Sequence, residues 1–153
     1  MTARLVTVHL STDNAVPYAL NDCIGGLQSI VGANFNEGGN TSLIRLTVHD
    51  RDKEAKPLDI HLYSEGPSSA TSTVNNQQYN IAFADLKKEL ALIPIAAADY
   101  KTHISGATAT WTGEVPIVVR SNQGSLCMAI EAKAPGAITY SSVQSLAIDL
   151  LFK

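Results

Sequence analysis

Apolar and polar side chains alternate with a period of two along this chain, in short runs that Gly, Pro or Asn repeatedly cut off. In Leu58–Tyr63, Leu58, Ile60 and Leu62 oppose Asp59, His61 and Tyr63. In Ser125–Lys133, Leu126, Met128, Ile130 and Ala132 share a face. In Ser145–Phe152, Leu146, Ile148, Leu150 and Phe152 oppose Ala147 and Asp149. A strand sends successive side chains to opposite faces, so this period predicts strands with one face on a core.

Residues 3–10 read as a first strand, rich in β-branched groups, and Ser42–Asp50 as another with Ile44, Leu46 and Val48 on a uniformly apolar face. Turn chemistry falls at Ser11–Asn14, Ser121–Gly124 and Pro135-Gly136. Gly38-Gly39-Asn40 predicts a hairpin joining a Leu27–Phe35 strand to Ser42–Asp50. Pro17 and Gly25-Gly26 block a helix, which leaves an extended arm over about 14–26 that leads into a short strand at Leu27–Val31. After Tyr100 a polar extension and a bend at Gly113 lead to a strand at Val115–Arg120. Short strands between such turns predict a mainly β chain, an antiparallel β-sandwich or barrel forming one domain over 1–153.

Leu58–Tyr100 is the most informative stretch. A strand is followed by a polar excursion, Ser64 to Gln78, with Gly66 and Pro67 at its start. One short amphipathic turn at Ala82–Leu90 follows, then an apolar run to Ala98. This order predicts a connection carrying the chain between two sheets, with the one short helix of the fold near residues 82–90. The charge cluster Asp50–Lys56 reads as a solvated loop between strands.

At 153 residues the chain is long enough to bury a core without disulfides. Its charged residues amount to only 16%, which suggests a surface partly covered by neighbouring subunits. A net charge of -3 and the lack of a basic run argue against nucleic acid as a partner. The opening MTARLVTVHLSTDN holds no sustained apolar stretch, and no run approaches the ~20 residues of a membrane helix, so neither a secretory signal nor a membrane partner is expected. Cys23 and Cys127 lie at no pairing distance and are expected to be free, buried thiols.

No catalytic motif emerges. His9, His49, His61 and His103 form no HxH, HxxxH or HExxH pair; His49 and His61 could meet across a hairpin as two ligands, but a cupin-type centre needs more. There is no G-x-S-x-G elbow, and neither glycine pair continues into a phosphate-binding loop. Catalytic residues, cofactor and metal are therefore not expected. Two features suggest binding. Trp111, the single tryptophan, is a core residue or an interface anchor, and the Pro17–Gly26 arm and the Gly66–Gln78 passage are simple loops or segments ordered by another chain.

The stretch YALNDCIGGLQSI, the strand and turn LDIHLYSEGPSS, the segment FADLKKELALIPIAAADY and the closing strand after ITYSSVQSLAIDLLF resemble, in order and spacing, the small decoration or cement proteins of tailed-phage heads. The likeness spans roughly Tyr18 to Phe152. Asn21 stands where the family has a glycine before Asp22, and Asn tolerates the left-handed backbone a glycine would supply. The resemblance implies a jelly-roll-like β-sandwich on the outside of a phage head, made in the host cytoplasm. It would clamp neighbouring copies of the major capsid protein and self-associate as a dimer or trimer. Candidate interface residues are Tyr18, Asn21, Asp22, Gly25, Gly26 and Pro67 on the matching stretches, with Trp111 added from its residue type. The alternatives are a carbohydrate- or ligand-binding β-sandwich of a phage tail or enzyme, a cupin-type enzyme, and a head-completion or tail protein.

Overall fold

A computed structural model describes residues 3–30, 40–69, 71–120 and 126–153. Among the described residues nine strands run Arg4–His9 (β1), Gln28–Ile30 (β2), Asn40–Asp50 (β3), Leu58–Tyr63 (β4), Glu89–Ile95 (β5), Tyr100–His103 (β6), Gly106–Arg120 (β7), Leu126–Ala132 (β8) and Leu146–Phe152 (β9). They form a five-stranded sheet, β1-β9-β3-β7-β6, and a four-stranded sheet, β2-β8-β4-β5. Every pairing is antiparallel, and the pairs nest: β1 with β9, β2 with β8, β3 with β7 and β4 with β5. One long hairpin rolled so that alternate nested pairs fall in opposite sheets is the jelly roll. β6 adds a fifth strand beside β7.

The alternation explains the packing. Leu46 and Val48, Leu146, Ile148 and Leu150, and Ala109 from one sheet share a buried cluster with Ile60 and Leu62, Ile93 and Ile95, and Met128 and Ile130 from the other. Burying side chains of this kind contributes ~1.5–3 kcal/mol each. In β3 the expected face is altered. A bulge between Leu43 and Arg45 shifts the register, so Leu43 and Leu46 both point inward and Ile44 is only partly buried.

Four expectations need correction. Within Leu58–Tyr100 the order of strand, excursion, turn and strand does not itself make the crossing, because β4 and β5 pair with each other; the chain changes sheets only at the end of the stretch, through a 3₁₀ turn at Ala97–Asp99 that leads into β6. β2 and β3 do not form a hairpin, since they lie in different sheets; Gly38 and Gly39, like the Ser121–Gly124 turn, lie outside the described residues. The polar extension after Tyr100 is the hairpin of β6 and β7, with Ala107 and Ala109 too small to give a strong alternation. In the charge cluster, Asp50 is buried and accepts the Asp52 and Ala55 backbone N–H groups, which fold the loop around it. Burial raises its pKa despite those bonds.

Candidate binding surface

Part of the outer face of the four-stranded sheet is covered by the chain itself. The arm runs beside β8, with the Asn21 N–H donating to Ala132 O at 2.7 Å and the Ile24 N–H to Ile130 O at 2.8 Å. The excursion then closes on the arm, as the Cys23 N–H donates to Gln77 O and the Asn76 N–H to Cys23 O, both at 2.8 Å. Side chains lock the two together. Asn75 Oδ1 accepts the Tyr18 hydroxyl at 2.8 Å and the Gly25 N–H at 2.7 Å, while Asn76 Nδ2 donates to Asp13 Oδ2 and to Val16 O. Each segment thus supplies the fixing partners that local sequence did not reveal.

These contacts give the sequence-selected residues structural roles. Tyr18 is fully buried in the main core, edge-on to Tyr140, so its side chain offers no surface to a partner. Asn21 has φ 68°, the left-handed backbone expected there, and its Oδ1 accepts from Lys133 Nζ at 2.9 Å. Asp22 Oδ2 accepts the Ala19 N–H at 2.7 Å, which closes a tight turn. Gly25 and Gly26 have φ of 75° and 74°, and a Cβ on Gly25 would lie 3.1 Å from that of Leu10. Pro67 is half-buried where the excursion starts. Trp111 is half-buried against the main core in β7, paired with Leu46, and thus in the other sheet from β8 and the arm. The seven do not gather on one surface.

The surface feature that the sequence concealed is the 3₁₀ turn Phe83–Lys88, the expected short helix in a tighter form. Its polarity is inverted. Asp85 is its one buried residue, while Phe83 is 91% and Leu86 46% exposed. Residues three apart eclipse one another on a 3₁₀ helix, so Phe83 and Leu86 share the outer side. Underneath, Asp85 Oδ2 accepts the Ser68 hydroxyl and the Thr71 hydroxyl, each at 2.6 Å, and the Ser68 N–H at 3.0 Å. Lys88 Nζ lies 3.1 Å from its other oxygen. The Ser68 and Thr71 bonds hold the Asp85 carboxyl well below the usual carboxylate range. A charged anchor therefore holds the turn that presents these two apolar side chains to water. The hint in the sequence is the hydroxyl-rich Ser68, Ser69 and Thr71 upstream of a lone acid in FADLKK.

His61 sits on the outer side of the same sheet, tying three strands. Its Nδ1 lies 2.6 Å from Glu89 Oε1 on β5 and its Nε2 3.2 Å from Glu131 Oε2 on β8, with the Tyr79 ring stacked at 4.4 Å. Lys133 Nζ is 3.1 Å from Glu131 Oε1. His49, in the other sheet, instead pairs with Asp149 at 2.8 Å, so the imagined His49–His61 ligand pair does not form. Among the described residues no group of three His, Cys, Asp or Glu could hold a metal ion. Tyr63 and Tyr79 join through their hydroxyls in a second buried cluster with Cys23, Cys127 and Ala129. Both cysteines are free and buried, and burial pushes the Cys23 thiol up to about 11.

No helix among the described residues is long and apolar enough to cross a membrane. No protein-family model matches the chain, and a search of curated proteins finds no match either.

Proposed function

We propose that this chain is a capsid decoration protein: a jelly roll that docks on the outer surface of a tailed-phage head and ties neighbouring major capsid subunits together, as a dimer or trimer. The observation that carries the reading is the inverted turn. Phe83 and Leu86 face solvent while the acid that would ordinarily face it is buried and fully hydrogen-bonded beneath them. Leu92, on the neighbouring strand β5 at the edge of its sheet, is also 51% exposed.

Exposed apolar groups that adjoin one another mark interaction sites more than single ones do, and Phe83 and Leu86 are neighbours on one turn that Asp85 anchors. Rigidity lowers the entropy lost on docking, so such a knob is preorganised for a pocket. Covering Phe83 would contribute ~1.5–3 kcal/mol, and covering the half-exposed Leu86 less. A contact of that strength repeated around a shell gives a clamp that strengthens with copy number and needs no catalytic group. The resemblance to phage cement proteins supplies the partner, and the jelly-roll topology agrees with the fold it implies. The test is reconstitution: purified protein added to expanded heads lacking it binds at saturating stoichiometry and raises their resistance to heat. Heads that neither bind it nor gain stability contradict the reading.

A further inference from the structure

We propose that a cleft at one end of the five-stranded sheet is a binding site for a small oxyanion, such as phosphate or a phosphoryl group. This goes beyond the capsid-docking reading and does not depend on it. The cleft has a volume of about 280 Å³ and draws on all five strands of the sheet or their adjoining loops. Register builds it. Ala147 of β9 pairs with His9 of β1 on one side and His49 of β3 on the other, so the Cα atoms of the two histidines stand roughly 10 Å apart. The small Ala147 between them leaves a hollow. Thr108 continues the row opposite His49, and the His103 Nε2 lies 3.0 Å from its hydroxyl. Arg51, Ser105, Gln144 and Ser145 complete the wall.

The wall is rich in hydrogen-bond donors, of which His49 Nε2 and His103 Nε2 are already bonded to Asp149 and Thr108. The nearby carboxylates are already engaged, Asp52 next to Arg51 by the Ser141 N–H and hydroxyl. Asp149 accepts Thr7 Oγ1 at 2.5 Å and pairs with His49 Nε2, while Asp50 is buried on its two backbone N–H groups. Arg51 is exposed and makes no ion pair among the described residues; Lys101 stands opposite Thr108 in register on β6. A guanidinium, imidazoles and hydroxyls around a hollow match a tetrahedral or planar oxyanion, whose oxygens accept several charge-assisted bonds at once. The volume suits a small ligand rather than a chain of sugars. Gly106 belongs to the same wall, and a Cβ there would sit 2.8 Å from Asp50 O, so the close approach of β7 to the end of β3 requires glycine.

The experiment is calorimetric titration of the full chain with inorganic phosphate at pH 6 and pH 8, alongside NMR of the histidine ring protons. Saturable binding is expected at both pH values. His9 and Arg51 are both exposed, so His9→Ala and Arg51→Gln leave the core intact, as unchanged thermal melting verifies. Arg51→Gln should weaken binding on the order of tenfold, and phosphate should shift the rings of His9, His49 and His103 but not that of His61. Absence of saturation, affinity unchanged in both variants, or saturable zinc binding without phosphate binding would each overturn the proposal.

Discussion

Tyr18 and Asn75 are hydrogen-bonded at 2.8 Å across 57 residues of sequence, hydroxyl to amide oxygen. The same oxygen holds the Gly25 N–H, so one side chain joins the crossing from β1 to β2 to the excursion between β4 and β5. Asn75→Ala leaves both donors unpaired and is expected to cost about 2 kcal/mol. Tyr18→Phe, which removes only one hydroxyl, should cost about 1 kcal/mol. Urea unfolding monitored by tryptophan fluorescence measures both; an Asn75→Ala midpoint equal to wild type would show that the lock carries no stability.

How much of this was legible in sequence depends on how local each feature is. β4, β8 and β9 could be read directly because the inner face of each is apolar throughout; β9 keeps the period of two in its burial, while β8 and most of β4 are buried on both faces. β3 was harder, since its bulge moves the buried face partway along. β6 and β7 were not read as a hairpin because their inner positions include Ala107 and Ala109, whose small side chains make little contrast with the threonines between them. Nested pairing joins segments more than a hundred residues apart, and no local pattern encodes it. The surface was the least legible part. An amphipathic turn is ordinarily read with its apolar side inward, and only the hydroxyls of Ser68 and Thr71 around Asp85 reverse that reading.

The buried carboxylate makes the turn acid-sensitive. Asp85 titrates below its unfolded value of ~3.9, so its stabilising contribution is fully present above that pH and is lost as the pH falls towards the depressed folded value. Amide exchange at Ser68, Thr71 and Asp85, corrected for intrinsic rates, should stay constant from neutrality to about pH 5 and rise below about pH 4. β8 and β9 should remain protected there. Asp85→Asn should remove that pH dependence. A loss of protection already near neutral pH would contradict this role for the carboxylate.

The two thiols should be inert in the folded protein. Cys23 is fully buried, with Sγ 3.5 Å from Thr73 O, and burial also pushes the Cys127 thiol up. At pH 8 neither presents much thiolate, the reactive form. A thiol-specific reagent should label neither within minutes in buffer and both at once in denaturant. Rapid labelling of native Cys23 would show that the arm and excursion open readily.

The central claim is that an acid folded inward holds apolar side chains outward for a capsid partner. Phe83→Ser changes a side chain that is 91% exposed and should shift stability within about 0.5 kcal/mol. Co-sedimentation of this variant and the wild type with expanded phage heads is the most direct test. The account predicts saturable binding of the wild type and at least a tenfold loss in the equally stable variant, the minimum expected from ~1.5 kcal/mol of burial forfeited at Phe83. Equal binding of the two proteins, or no binding by the wild type, would contradict it.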